Sequence, residues 1–223
     1  MNNNKLIKRI FVEYFVLALV IFFIVFNAFV KNDSLFAVIS AICGITYTFL
    51  AGKGLPICYL FGVTGSSFYS LLAFQNVLWG NLILYAGYYL PMQILGYFRW
   101  NKNLKENRQE IIKISLPQKE LVFLIALLAL LSICVYYILK LVNDTHPILD
   151  SITTVFSIGG MYLTVRRAIE QWLFWMIVNT LSLIMWVKVA FTGVKVYSTI
   201  IMWIVYLFLA IYFYINWKKE LQK

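Results

Sequence analysis

Histidine, acid and cysteine are all scarce in this chain, and each scarcity removes a class of chemistry. His146 is the sole histidine and falls in a polar interval between apolar runs, so no two-histidine zinc pattern can form. The nine acidic residues include no pair inside an apolar run: Glu13 lies early in the first run, and Asp33, Asp144 and Asp150 lie at run ends. Paired carboxylates for acid–base chemistry are therefore missing, as is the intramembrane acid on which ion-coupled carriers usually depend. Cys43, Cys58 and Cys134 sit in apolar runs without Cys-x-x-Cys spacing, which argues against a disulfide framework or zinc site and leaves them as buried packing residues. A glycine-rich phosphate loop is absent too. Gly62 and Gly65 stand apart in an apolar segment, where small residues let helices approach closely. No catalytic, metal-binding or cofactor-binding constellation is expected, and the chain reads as a non-enzyme.

Charge as a whole is thin. Only 13% of the 223 residues are charged, against roughly 25% in a soluble domain, while 62% are hydrophobic and 18% aromatic. With a mean hydropathy of +0.82, this is the composition of a chain dissolved in lipid. Apolar runs punctuated by charge, Pro or Gly predict eight transmembrane helices, near residues 10–30, 34–51, 55–74, 77–98, 120–141, 148–165, 171–190 and 197–217. The first follows Lys5, Lys8 and Arg9 as a signal peptide would. Its length of about 20 residues matches a ~30 Å hydrocarbon core and no Ala-x-Ala site follows, so it reads as a retained helix. Pro56 and Pro147 fall at or near first helical positions, and Ser34 and Asp150 are expected caps.

The net charge of +10 does not indicate nucleic acid, because Lys and Arg cluster in short segments between runs instead of along one helix face. It reports topology. With both termini cytoplasmic, 15 of the 19 basic residues fall inside and only Lys31, Lys140, Lys188 and Lys195 outside, as the positive-inside rule requires. The expected location is a bacterial cytoplasmic (inner) membrane, crossed many times.

The stretch 99–119 is the one substantial loop, polar and basic. Around it the chain divides into a cytoplasmic N-terminus with an extra helix (1–33), a three-helix repeat (34–98), the loop, a linker helix (120–141), a second three-helix repeat (148–217) and a tail (218–223). Tyr89, Gln93, Gly96 and Trp100 share their spacing with Tyr206, Ala210, Phe213 and Trp217. The single span between the triplets returns the chain to the same side, so the repeats are expected to be parallel.

Polar side chains in hydrocarbon are costly, so those within spans are expected to face the bundle interior or a water-filled path. Trp172, Trp175 and Asn179, at i, i+3 and i+7, share one helix face. A second stripe runs Tyr85, Tyr89, Gln93, Gly96 and Trp100, with Pro91 inside it predicting a kink that frees the Gly87 carbonyl. Trp100 and Trp217, each beside Lys or Arg at a predicted inner boundary, read as interfacial belt residues. Position alone admits both belt and site for Trp172. An amide such as Gln93 or Asn179 can simply bond a neighbouring helix, for on the order of 1 kcal/mol. Two amides on separate helices, each beside aromatics, point to a site.

At these residues the chain resembles the PnuC family of nicotinamide riboside transporters. The resemblance covers nearly everything after residue 33, and rests most specifically on Trp-x-x-Trp-x-x-x-Asn, here Trp172, Trp175 and Asn179. The preceding segment from Asp150 through Ser157 and Tyr162 to Arg166, Arg167 and Glu170, and the run from Tyr89 to Trp100, add to it. The chain departs from a repeated pattern at Ala210 and Phe213, which stand where the first repeat has Gln93 and Gly96. The resemblance implies a SWEET-like 3+1+3 all-α fold and a facilitator whose substrate is trapped by a cytoplasmic kinase. The implied substrate-binding set is Trp172, Trp175, Asn179, Gln93, Tyr89 and Tyr206, with no cofactor. The expected partners are a small-molecule vitamin precursor and lipid, with a homo-oligomer possible and no nucleic acid. The alternatives are the same fold carrying thiamine or riboflavin, and a non-transporting scaffold or importer subunit.

Overall fold

The computed structural model describes residues 3–31, 34–75, 82–106, 109–141, 143, 146–191 and 197–222. Asp33, Asp144 and Lys195, named above, lie outside the described residues. Eight α-helices account for the regular structure among the described residues: α1 Asn3–Lys31, α2 Leu35–Lys53, α3 Cys58–Gln75, α4 Leu90–Asn101, α5 Gln118–Leu141, α6 Pro147–Val165, α7 Gln171–Phe191 and α8 Tyr197–Leu221. A π-helical stretch, Ile83–Tyr89, runs directly into α4. Among the described residues five helices are long and apolar enough to cross a membrane: α1, α2, α5, α6 and α8. The architecture is the all-helical one that the sequence predicts.

Contacts group the chain into two compact units. The first, Met1–Ala51 with Ile57–Pro91, holds α1, most of α2, α3 and the π-helical stretch. Within it the expected role of Gly65 holds: a Cβ there would meet the Cys43 Cβ at 2.9 Å and the Ser40 carbonyl at 3.4 Å, so α2 and α3 touch only because the side chain is missing. Ring pairs finish the packing, with Tyr14 of α1 edge-on to Phe49 of α2 at 5.2 Å and Phe36 of α2 against Phe68 of α3 at 5.7 Å. Most of the α1 surface is exposed. Only 6% of its apolar window is buried, as a lipid-facing helix requires.

The second unit, Gly52–Pro56 with Met92–Lys223, holds α4 to α8. Here α6 packs on both α5 and α7, and α7 on α8. Leu128 of α5, Val155 and Leu163 of α6 and Phe174 of α7 form the core, closed at one end by Leu116 and Ala168. Gly159 of α6 sits where any side chain would meet Leu128 and Phe174.

Five local expectations are corrected. Trp100 and Trp217 are not belt residues: both side chains are fully buried, and each indole N–H donates to a backbone carbonyl, Trp100 to Thr164 at 2.9 Å and Trp217 to Gly52 at 2.7 Å. A basic neighbour in sequence does not say whether the chain covers the helix end, and here it does. The stretch 99–119 is not loop from end to end: 99–101 belong to α4, 118–119 to α5, and residues 110–116 are laid across the ends of α2, α6 and α8. Pro91 does not open a simple kink. The wider π-helical turn comes first, and the Leu90 N–H reaches back five residues to the Tyr85 carbonyl, ahead of a ring that an α-helical register accommodates poorly. Asp150 lies in the first turn of α6, where it favours the helix dipole, while His146 holds the capping position. Cys134 is exposed on α5, unlike the buried Cys43 and Cys58.

Candidate functional site

The turn between α6 and α7 sets the face on which Trp172, Trp175 and Asn179 stand. Arg167 adopts a left-handed backbone (φ 64°), and the Ala168 N–H closes back onto the Leu163 carbonyl at 3.0 Å, ending α6 in the manner of a helix C-cap. The Gln171 side-chain amide donates to the Ala168 carbonyl at 3.0 Å, and the N–H groups of Gln171 and Trp172 bond back to Ala168 and Ile169. With α7 pinned from its first residue, the i, i+3, i+7 stripe points inward. Asn179 is 5% exposed and Trp172 is 2% exposed.

Trp175 is held by its nitrogen. Its N–H donates to the Thr164 hydroxyl at 3.3 Å, and that hydroxyl donates to the Gly160 carbonyl at 2.8 Å. A Cβ on Gly160 would lie 3.1 Å from the indole, tighter than ordinary contact, so the ring lies flush on the α6 backbone. With its polar atom engaged and its side chain half-buried, Trp175 has an aromatic face to offer. Trp172 is the converse. It stacks at a tilt on Phe213 (5.5 Å) and edge-on to Trp217 (5.6 Å), while its own buried N–H has no partner.

Gln93 lies on the buried side of α4 with Gly96 and Trp100, and is 3% exposed. Its side-chain oxygen is buried without a hydrogen-bond partner. An acceptor left in that state costs about 1–3 kcal/mol, which a donor arriving with a ligand would recover. Tyr89 is the last residue of the π-helical stretch, buried, and edge-on to Tyr85 at 4.9 Å. Tyr206, half-buried on α8, lies 6.0 Å from Trp203. Trp203 is the functional candidate that sequence reasoning passed over. Its buried N–H has no partner, and its place one turn before Tyr206 was the available signal.

The structure thus places Trp172, Trp175, Asn179, Gln93 and Tyr206 in one compact unit and Tyr89 in the other. In the second unit the buried polar side chains near these residues are neutral. The only charged residues buried among those described are Lys113 and Glu170, and both bond at the basic end of the helices. An open cleft bordered by Asn101, Lys102, Leu104, Lys105 and Glu106 is largely exposed, and is lined by none of the buried amides and indoles. No cluster of His, Cys, Asp and Glu suited to a metal occurs among the described residues. Neutral hydrogen-bonding groups between aromatic faces can hold a flat, uncharged or cationic ring bearing hydroxyls or amides.

Comparison with known proteins identifies the family. Residues 34–219 match the family described as nicotinamide mononucleotide transporter. The chain is 29% identical to the nicotinamide riboside transporter PnuC of Neisseria mucosa, over 87% of this chain and 76% of that protein. It is 30% identical to the protein of the same name from Haemophilus influenzae, over 86% of this chain and 82% of that one. Its fold superimposes on the crystal structure of the vitamin B3 transporter PnuC with a TM-score of 0.78 and 27% identity, covering 93% and 90% of the two chains. Lipid-soluble helices, an interior of neutral amides and indoles, and this likeness over nearly the whole length lead to one conclusion: the chain belongs to the nicotinamide mononucleotide transporter family, a family of membrane transporters and not of enzymes.

Proposed function

We propose that this transporter is a facilitator for nicotinamide riboside, the substrate named for its relatives, in a bacterial cytoplasmic membrane with both termini inside. The observation that carries the substrate is the neutral interior around Gln93 and its unpartnered oxygen. Nicotinamide riboside brings a cationic pyridinium, which the Trp175 face stabilises without a buried carboxylate, together with a carboxamide and hydroxyls. Gln93 accepts from one of these groups, Asn179 bonds another, the Trp172 N–H donates, and Tyr206 completes the lining. The mononucleotide would add a phosphate, and none of these side chains carries the positive charge that a buried phosphate requires.

The same absence of a buried acid among the groups of the site favours passive movement down a gradient, with a cytoplasmic kinase trapping the product. Two parallel three-helix repeats, 34–98 and 148–217, joined by the linker helix 120–141, would rock to alternate access, with the π-helical turn before Pro91 as the place of bending. The test is equilibrium binding to the purified full-length protein by tryptophan quenching, with nicotinamide riboside, its mononucleotide, thiamine and riboflavin in parallel. The riboside should bind at least about tenfold more tightly than the mononucleotide, and Gln93→Ala or Asn179→Ala should each cost up to about tenfold. Preference for another vitamin would replace the substrate and keep the fold. Unchanged affinity in both variants would remove these amides from the site.

A further inference from the structure

Residues 110–116 form an ordered strap. It begins folded back on the end of α4, where the Lys105 N–H donates to the Glu110 carbonyl at 2.8 Å and the Ile112 N–H to the Asn103 carbonyl at 2.8 Å. It then crosses the ends of three helices in turn. The Ile111 N–H donates to the Gly54 carbonyl after α2 at 2.9 Å. Lys113 pairs with Glu220 near the end of α8, and Glu220 also takes Lys105. The Ile114 N–H donates to the Arg167 carbonyl after α6 at 3.0 Å, and the Ile169 N–H donates back to Ile114 at 2.9 Å. Side chains fasten the far end: Ser115 and the Leu116 N–H both donate to one Glu170 oxygen, at 2.6 and 3.1 Å, and Arg167 donates to the Ile112 carbonyl at 2.8 Å. Ile111 is wholly buried and Lys113 is 9% exposed, uncommon for a lysine in a stretch outside the helices.

The buried lysine leads to the site. Its ammonium lies 5.1 Å from the centre of the Trp217 ring. Trp217 is fixed on its other side by its bond to Gly52, and meets Trp172 edge-on. A clamp on the strap is therefore two rings' contact away from the first tryptophan of the Trp-x-x-Trp-x-x-x-Asn stripe.

We propose that residues 110–116 are a latch across the basic end of the helices, and that Lys113 and Glu220 are positioning residues that hold Trp172 through Trp217. The consequence for transport rests on the functional reading above; the latch and its hold on Trp172 do not. Packing alone would not require a charge at position 113. A positioning role does, because a cation held over the Trp217 face fixes that ring, and Met fills the same volume without attracting the ring's electrons.

The experiment uses the full-length protein in lipid nanodiscs, labelled with 5-fluorotryptophan, as wild type, Lys113→Met, Lys113→Arg and Glu220→Gln. Without any ligand, amide exchange at Ile111 and Ile114 should rise by about tenfold or more in Lys113→Met and Glu220→Gln. The fluorine resonance of Trp172, assigned by Trp172→Phe, should shift or broaden in both and return in Lys113→Arg. With nicotinamide riboside, the same two variants should lose roughly tenfold in affinity while Lys113→Arg retains it. Faster exchange with an unmoved Trp172 resonance would overturn the positioning role, and unchanged exchange would overturn the latch. If the wild type binds no riboside, the functional reading fails, and the exchange and fluorine measurements still decide this one.

Discussion

The corner after α2 and the corner after α6 occupy matching places in the chain and solve the same problem with different side chains. Both helices are 19 residues long. Each receives a tryptophan at its penultimate residue: Trp217 bonds the Gly52 carbonyl and Trp100 the Thr164 carbonyl. Each then turns through a left-handed residue, Gly54 (φ 75°) or Arg167 (φ 64°), whose carbonyl accepts an N–H from the strap. The two corners share these bonds and a left-handed residue, and differ in their chemistry. At the first corner glycine supplies the conformation at no steric cost, and the missing Cβ of Gly52 makes room for the Phe213 ring. At the second corner arginine accepts a strained backbone, and its guanidinium and the neighbouring Glu170 hold the strap by charge. Burial and the charge of Arg99 push that guanidinium below its ordinary value. Two equivalent turns can thus diverge into a packing corner and an electrostatic one.

The largest way to break this comparison is to fill the first corner. Gly52→Val drives a side chain into the Phe213 ring and should destabilise by about 1–3 kcal/mol or more, seen as a lower unfolding temperature in detergent. Thr164→Val at the matching position keeps the volume and the carbonyl, and its cost of about 1–3 kcal/mol comes from the Trp175 N–H left without an acceptor.

Removing the tryptophan donors comes next. Trp217→Phe and Trp100→Phe each leave a buried carbonyl without its partner, for about 1–3 kcal/mol. The Trp217 variant should lose more, since it also gives up contacts with Trp172 and Lys113. Equal losses would mean that those ring contacts contribute nothing.

The left-handed residues separate the two corners more finely. Gly54→Ala should cost on the order of 1 kcal/mol through its backbone conformation. Arg167→Gly should be close to neutral in stability, because relief of the backbone offsets the lost bond to Ile112, and would raise amide exchange at Ile114. A large loss from Arg167→Gly would show that charge, not backbone geometry, dominates there.

The smallest effect concerns pH. Burial works against the charged form of Lys105, but its bonds to Glu220 and Glu110 outweigh that and hold its pKa above the ordinary lysine value. Its contribution is present in full below about pH 10.4 and is lost as pH rises through the higher folded value. Lys105→Met should therefore lower the unfolding temperature slightly at neutral pH, and the difference should vanish in strong alkali.

Much of the candidate site's arrangement was legible in the sequence. The spacing of Trp172, Trp175 and Asn179 put them on one face because helical periodicity is local, and Gln93 stood out because an amide in an apolar run needs a reason. What each indole does was not legible. Trp172 and Trp175 differ by three positions and are chemically identical, yet one is held by its N–H and the other keeps its N–H free inside a ring cluster. That depends on Thr164, Phe213 and Trp217, which lie on other helices. The belt reading of Trp100 and Trp217 failed for the same reason, since residues beside them in sequence do not reveal what covers them in space.

Composition and apolar run length by themselves determined that this chain belongs in lipid, that it is helical, and close to where its helices run. Each of those follows from the cost of an unsatisfied backbone in hydrocarbon, which acts on every segment alone. The tertiary structure alone decided that the basic stretch after α4 becomes a strap, that a lysine is buried in it, and that the wide turn precedes Pro91. Those features arise from hydrogen bonds and ion pairs between residues far apart in the chain, whose pairing no local pattern encodes.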